Sequence, residues 1–343
     1  MGRRIAIVCS VLMALMVLVL VVSAAHGPAA ISYTNVAQLI LRGIGFQTGL
    51  DLSASDFAIV NQVRLPRILV GLLVGAALAS SGATLQGVFR NPLADPSIIG
   101  VSVGGSLGAV IAITTGIATD NLWVLPAFSF VGAMSAAAVV YGMSLVNGQS
   151  QPATLLLAGI AINALLGALI SALLLLTNRF PEVQAILSWL IGGLRGRGWA
   201  HFSVIVGPVL VTVILLMAFA RDLNLLLLGE ETAQGLGVDV PHTRLVLMAL
   251  ASLAAGAAVS ITGPIGFVGL VVPHMLRLVV GPDYRLLLPA STLGGAVFLA
   301  AMDTLARLVV QPAELQVGII TALLGAPFFL YLLYRNRRLM RTL

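Results

Sequence analysis

The residues that could do chemistry gather in one polar interruption of an apolar chain, LNLLLLGEETAQGLGVDVPHTR at 223–244. Gly229 breaks the leucine run before it. Glu230 and Glu231 follow, and the first turn of a helix favours negative charge. Gly237 favours the end of that helix. The pattern predicts a short helix, a turn and a second short helix, with a plain connecting loop as the alternative.

Two apolar residues indicate that this polar unit is a docking surface for a partner protein. Leu236 and Val238 follow its second helix, and we expect both to be exposed to the cytoplasm. Exposed apolar side chains on a short helix are typical of a surface that docks into the groove of a partner protein.

The remaining residue types exclude several kinds of chemistry. All 18 basic residues are arginine, so the chain has neither a GxxxxGK[ST] phosphate loop nor a Schiff-base lysine. The four histidines are scattered without ligand spacing, and the single Cys9 has no intrachain partner, so we expect no metal site and no disulfide. Without HExxH, DDxxD or GxSxG patterns, an intramembrane enzyme is disfavoured. If ATP and Mg²⁺ are used, another polypeptide must bind them.

The elements that carry these residues are membrane spans. The chain is 59% hydrophobic and 9% charged, with mean hydropathy +1.08. Apolar runs of about 20 residues, each long enough to cross a bilayer as a helix, recur along it. The opening 27 residues resemble a secretory signal, but their apolar core is long, so we interpret them as an uncleaved span. The predicted spans are 5–25, 64–83, 97–117, 122–145, 153–176, 201–220, 244–262, 267–280, 286–306 and 314–334.

Ten spans place both ends of the chain on one side, and the basic ends MGRR and RNRRLMR place that side in the cytoplasm. The sequence therefore predicts one all-α polytopic domain over 1–343, with the polar unit at about 222–243 on the cytoplasmic face. Residues 178–200 predict a partly inserted outer helix, and Pro264 and Pro273 predict a kinked or broken eighth span. The net charge of +6 is spread over span ends, which argues against nucleic-acid binding.

Four blocks resemble the FecCD family, the permeases of type II ABC importers for iron chelates, haem and cobalamin. They cover nearly the whole chain in order. They are RLPRILVGLLVGAALASSGATLQGVFRNPLADPSIIGVSVGG (64–105), LNLLLLGEETAQGLGV (223–238), GPIGFVGLVVPHMLRLVVGPDYRLLLPASTLGGA (263–296) and DTLARLVVQPAELQVGIITALLGAPFFLYLL (303–333).

The resemblance implies a bacterial inner-membrane protein with ten spans that works as a homodimer. It also implies two cytoplasmic ATPase subunits, which hold ATP and Mg²⁺, and one periplasmic substrate-binding protein. The polar unit would then be the coupling element that seats in a cleft of the ATPase. The residues assigned to it are Gly229, Glu230, Glu231, Leu236 and Gly237.

The same resemblance assigns Arg64, Arg67 and Arg307 to the outer mouth, where they would pair with acidic residues of the binding protein. Arg307 has an alternative partner, since Asp303 lies four residues earlier and opposite charges at that spacing attract. Arg64 and Arg67 could also simply extend from a span end to the interface.

Further residues have an assigned place with an open alternative. By resemblance Asn91 and Leu93, in FRNPLADP, belong to a cytoplasmic gate, whereas a proline-rich turn is the simpler interpretation. The segment NGQSQPAT, where relatives often carry hydroxyl residues at a second gate, departs from the family pattern.

His274 fits a structural role better than a haem contact. LRGRGW at 194–199 fits an interfacial anchor as well as a ligand or partner contact.

The resemblance favours an iron chelate, including haem, as cargo, with cobalamin as the alternative. An ion-coupled secondary carrier is the competing class of function. Such carriers need carboxylates or histidines at mid-membrane, and only Asp303 lies inside a predicted span, near its outer end.

Overall fold

The fold is a helical bundle, seen in a computed structural model that describes residues 2–27, 31–43, 53–118, 121–146, 149–311 and 313–340. Residues Ile59–Arg64 form a π-helical turn, and residues Pro96–Ile99 form a 3₁₀ turn. The helices are α1 (Gly2–Ala25), α2 (Tyr33–Gly43), α3 (Ala54–Ala58), α4 (Leu65–Val88), α5 (Val101–Thr114), α6 (Val124–Met143), α7 (Pro152–Leu176), α8 (Phe180–Ile191), α9 (Trp199–Ala218), α10 (Ala220–Leu227), α11 (Glu230–Gly235), α12 (Val240–Thr262), α13 (Val268–Val280), α14 (Tyr284–Leu308) and α15 (Val317–Met340).

Every predicted span has a helix in the structure. Seven helices in the described chain are long and apolar enough to cross a membrane, and α5, α13 and α15 are shorter apolar helices. Within 178–200 the structure has the short apolar helix α8, and its partial insertion on the outer side stays a prediction. The only strands in the described residues are two short ones before α7, β1 (Leu145–Val146) and β2 (Gln149–Ser150), which pair antiparallel.

Helix α4 forms the centre of the bundle and is buried along nearly its whole length. It packs against α14, α12, α13 and α9. Small residues permit these contacts, because a Cβ on Gly75 would collide with the carbonyl of Gly295, and one on Gly82 with that of Gly269. Close backbone approach of this kind is how helices associate in lipid, where no hydrophobic force drives them together.

The eighth predicted span is not broken: α13 runs continuously from Val268 to Val280 with Pro273 inside it. The break lies before this span, where the chain continues without helix from the end of α12 through Pro264. Phe267, just before α13, has a left-handed backbone with φ 69°, which is unusual for a residue with a side chain.

The bundle has two ends with different polar groups. At one end α1 and α14 finish and α4 begins, and we call it the Asp303 end. At the other end α4 finishes, α14 begins and the short helices α10 and α11 lie across it, and we call it the Glu230 end. The predicted topology makes the Glu230 end cytoplasmic.

Candidate functional site

The polar unit at the Glu230 end consists of two short helices, as predicted, so the plain-loop alternative is wrong. Gly229 separates α10 from α11 with φ 111°, and Gly237 follows α11 with φ 87°. A residue with a Cβ is strained at such angles, which is the physical reason for glycine at both positions.

Glu230 ties this unit to two other parts of the bundle. Its Oε1 accepts a hydrogen bond from Arg244 Nη2 at 2.6 Å, and Arg244 is almost fully buried at the start of α12. The same oxygen lies 3.4 Å from Nη2 of Arg90, which sits immediately beyond α4. Charge-assisted bonds to one carboxylate therefore connect α11 with both neighbours.

The exposed surface of the unit includes two large apolar side chains and one acidic side chain among polar residues. Leu228 is 62% exposed and Leu236 is 53% exposed, and Glu231 is exposed beside them. The expectation that Val238 is exposed is wrong: it is 8% exposed and belongs to the main core, because the chain turns inward after Gly237 to begin α12.

The loop with Asn91 and Leu93 begins beside this unit. Arg90 opens it with a left-handed backbone, φ 47°. Asn91 Oδ1 accepts a bond from the backbone N–H of Leu93 at 2.9 Å, and Leu93 is 41% exposed. The turn predicted as the simpler interpretation is therefore present, and a gating role for Asn91 and Leu93 stays a prediction.

The chain that follows this turn is fixed to α7. Asp95 caps the 3₁₀ turn by accepting the backbone N–H of Ser97 at 2.9 Å. Asn163 of α7 donates to the carbonyl of Ser97 at 3.0 Å, and Gly159 lets the carbonyl of Ile98 approach closely. Sequence reasoning missed both α7 residues, although Gly159 stood in the LLLAG segment next to the expected second gate.

The arginines assigned to the outer mouth are all at the Asp303 end, but they are buried. Arg67 is 8% exposed. Its Nη2 lies 2.9 Å from Oδ1 of Asp303, and its Nη1 lies 2.8 Å from Oε2 of Glu314. Both carboxylates that face Arg67 therefore come from its own chain, and its pairing with a binding protein stays a prediction.

Arg307 and Arg64 are also inside the protein, at 3% and 5% exposure. Arg307 Nε lies 3.3 Å from Oδ2 of Asp303, so the internal pair proposed as the alternative is present. Arg307 also donates to the carbonyl of Ser23, and Arg64 donates to that of Ala24 at 2.6 Å. Both guanidinium groups thus bind carbonyls at the end of α1, where a helix carries partial negative charge.

The carboxyl group of Glu314 makes a pH-dependent contribution to the stability of the protein. Burial alone would raise the pKa of its carboxyl group, but the hydrogen bond and charge of Arg67 and the charges of Arg307 and Arg195 outweigh burial, so the pKa lies below 4.5. A depressed folded pKa means that the stabilisation is present above the unfolded pKa and is lost as pH falls through the folded value.

We therefore expect Glu314→Gln to lower the free energy of unfolding by about 1 kcal/mol at pH 7. The difference from the parent protein should shrink as the pH falls through the unfolded pKa and then the depressed folded pKa of this carboxyl group. Heat unfolding in detergent at several pH values measures it, with the exposed Glu231→Gln as control. A deficit that does not shrink on acidification would contradict the assigned ion pair.

LRGRGW lies at the Asp303 end. Trp199 begins α9, and its Nε1 donates to the carbonyl of Asn61 at 2.8 Å. Its ring packs edge-on against Phe202 with 5.7 Å between centroids. Trp199 is thus held to its own chain, and its role as an interfacial anchor stays a prediction. Arg195 and Arg197 lie along a cavity described below.

The described residues contain no group of three or more potential metal ligands among His, Cys, Asp and Glu. His274 is half-buried in α13, and its Nδ1 has no hydrogen-bond partner. Its predicted structural role remains a prediction.

Comparison with known proteins places the chain among membrane permeases. The FecCD transport family profile matches residues 15–335. The cobalamin import system permease protein BtuC of Halobacterium salinarum is 46% identical over 350 residues, covering 93% of each protein. The hemin transport system permease protein HmuU of Yersinia pestis is 42% identical over 313 residues, covering 90% of this chain and 92% of HmuU.

A solved structure shows the same fold. It is described as an inward-facing conformation of a metal-chelate type ABC transporter, with a TM-score of 0.83 and 34% identity, and the match covers 95% of this chain and 98% of that one. The family match, the relatives and the shared fold agree, and the chain belongs to the FecCD transport family, as a multi-pass membrane permease of an ABC importer.

Proposed function

We propose that two copies of this chain carry a metal chelate, delivered by a periplasmic binding protein, into the cytoplasm of a bacterium. Two separate ATPase subunits would bind ATP and Mg²⁺ and supply the energy, since the chain has no lysine for a phosphate loop. The observation that carries the proposal is the two-helix unit at the Glu230 end, which presents exposed Leu228 and Leu236 beside Glu231.

The contacts of that unit would transmit movement from a bound partner to the Asn91–Leu93 turn. A partner that seats on Leu236 would move α11 as a body, because glycines bound the helix at both ends. Movement of α11 would displace Arg90 through Glu230, and with it the Asn91–Leu93 turn. The turn leads to the 3₁₀ segment that is bound to α7 by Asn163. In the proposal this series of contacts opens and closes the cytoplasmic gate.

The second copy would cover α7. This helix is largely exposed in the single chain, and its bare side chains are long and apolar, which a lipid or protein surface must cover. They include Leu157, Ile160, Leu165, Leu175 and Leu176. The proposal places the cargo path between the two copies.

The binding protein would dock at the Asp303 end. Arg64, Arg67 and Arg307 would support docking from within, because they hold α1, α4 and α14 in register and do not reach the surface. Both termini would then lie in the cytoplasm, in agreement with the basic ends of the sequence.

For the cargo, we propose an iron chelate such as haem or a ferric siderophore. The relatives named for hemin and for Fe(3+) dicitrate support an iron chelate. Cobalamin is the second candidate, because the relative at 46% identity is named for cobalamin import.

Reconstituted vesicles test the proposal. Vesicles with the chain, its ATPase and its binding protein should accumulate labelled haem, ferric siderophore or cobalamin only when ATP is present on the ATPase side. An ATPase whose catalytic glutamate is replaced should abolish accumulation. Uptake that continues on an ion gradient with that inactive ATPase would overturn the importer proposal and favour a secondary carrier.

Leu236 gives a sharper prediction for the coupling element. Leu236→Asp should lower ATP-dependent uptake at least tenfold and weaken ATPase copurification, because it places a charge where an apolar side chain would enter the partner's groove. Leu236→Met is the matched control and should retain both. Normal uptake and copurification by Leu236→Asp would exclude this residue from the ATPase contact.

A further inference from the structure

A cavity of about 460 Å³ lies at the Asp303 end and has no assigned task. Helix α8 forms one wall, and the turn between α8 and α9 forms another. The polar side chains that line it are those of Glu182, Ser188, Trp189, Arg195, Arg197, Thr262 and Gln316.

Arg197 is poorly supplied with acceptors. No carboxylate in the described chain lies within salt-bridge distance of it, and its Nε is buried without a hydrogen-bond partner. Its Cζ lies 5.6 Å from the centroid of the Trp189 ring, a cation–π contact that supports the charge but accepts no hydrogen bond.

Among the described residues, the side chain of Arg197 has one polar group within hydrogen-bond distance, the ring of His201, and this ring also contacts the backbone N–H of Gly198. Nη1 of Arg197 lies 3.4 Å from Nε2 of His201, and the backbone N–H of Gly198 donates to Nδ1 of the same ring at 3.3 Å. A neutral imidazole has one acceptor nitrogen, so His201 can accept from only one of the two. With Gly198 bonded, Nε2 carries the proton and cannot accept from Arg197.

Two further observations point to a missing acceptor. Nε1 of Trp189, a donor, is buried without a partner among the described residues. Arg195 is exposed on the cavity wall and has no carboxylate within salt-bridge distance in the part of the chain that the structure describes. Glu182 is the one acidic side chain among the described lining residues, and it is bonded to Arg179 at 3.0 Å. The cavity therefore combines two cationic side chains with an unused donor.

Burial lowers the pKa of the Arg197 guanidinium to about 10, so the group stays charged at neutral pH. Arg197 is partly buried, and a partly buried charge without a nearby counter-charge is unfavourable, so the binding of an oxyanion reduces that cost. Guanidinium groups match the two oxygens of a carboxylate in geometry and charge.

We propose that this cavity binds a carboxylate group of the transported chelate, with Arg197 and Arg195 as the two cationic contacts. The inference rests on the proposed function and narrows its cargo to chelates that carry free carboxylates. Haem, with its propionates, and ferric citrate meet this condition, whereas the side chains of cobalamin are neutral amides.

Citrate is the probe for the site itself. The chain in lipid nanodiscs, without ATPase or binding protein, should bind labelled citrate saturably, and the neutral trimethyl citrate should not compete. Arg197→Gln should weaken citrate binding at least tenfold, as should Arg195→Gln, whose exposed position makes misfolding no concern. Arg285→Gln removes the same charge from an exposed position at the opposite end and should bind as the parent does.

Three results would overturn the proposal: no saturable citrate binding, equal competition by trimethyl citrate, or parental binding by both arginine variants. Vesicle uptake separates it from the proposed function. If haem uptake requires Arg197 and uptake of haem dimethyl ester does not, the carboxylate site is supported. If no chelate is taken up at all, the importer proposal fails, and the citrate measurement alone decides the site.

Discussion

Asp303→Asn is expected to lower the free energy of unfolding by about 3–5 kcal/mol, the largest effect predicted for a single side chain here. Asp303 is 2% exposed and faces two guanidinium groups. Arg67 bonds it with Nε at 3.1 Å and Nη2 at 2.9 Å, and Arg307 Nε lies 3.3 Å away. The amide keeps the shape of the carboxylate but leaves two buried cations with Glu314 as their nearest counter-charge.

The measurement is the unfolding midpoint in detergent, by heat or by denaturant. Arg179→Gln is the matched control at the same end, since it breaks the Arg179–Glu182 pair with Arg179 79% exposed. That variant should change stability by less than about 1 kcal/mol, because water screens an exposed pair. Equal effects of the two substitutions would show that the Asp303 cluster is solvated and not an internal ion network.

Gly82→Ala is expected to be the second most damaging change, at about 3 kcal/mol or complete failure to fold. A Cβ on Gly82 would overlap the carbonyl, carbonyl carbon and Cα of Gly269, and backbone cannot move aside as a flexible side chain can. The substitution would force α13 away from α4. This movement would break the hydrogen bond from Gln86 to the Gly269 carbonyl.

Gly207→Ala in α9 is the matched control, because a Cβ there meets nothing within 4 Å. It should be neutral or stabilising by up to about 1 kcal/mol, since alanine favours helix over glycine. Yield of folded protein by gel filtration and the unfolding midpoint measure both variants. A Gly82→Ala protein as stable as Gly207→Ala would contradict the close packing of α4 on α13.

The polar unit shows what a local pattern can predict. The positive φ angles at Gly229 and Gly237 favour glycine, and the first turn of a helix favours the negative charge of Glu230. All three signals lie within a few residues of each other, so a local pattern can predict them. The burial of Val238 could not be predicted in this way. It depends on the direction that the chain takes after Gly237, which packing against the core decides.

The arginines show the opposite case. Their sequence positions at span ends suggested exposed charges, but Arg67 meets Asp303 across 236 residues of sequence. Only the packing of α4 against α14 brings the two together. The resemblance assigned the same residues to docking, which stays a prediction, and the burial of their side chains could not be predicted from it.

Composition and apolar spacing alone determined that the chain is a multi-pass helical protein with one polar unit at one face, because each helix in lipid must satisfy its own backbone. The tertiary structure alone decided which charges neutralise one another and which remain without a counter-charge. Asp303 is shared by two arginines, whereas Arg197 has no carboxylate within salt-bridge distance in the described chain. Distances between side chains on different helices follow from packing, and no local pattern in the sequence encodes them.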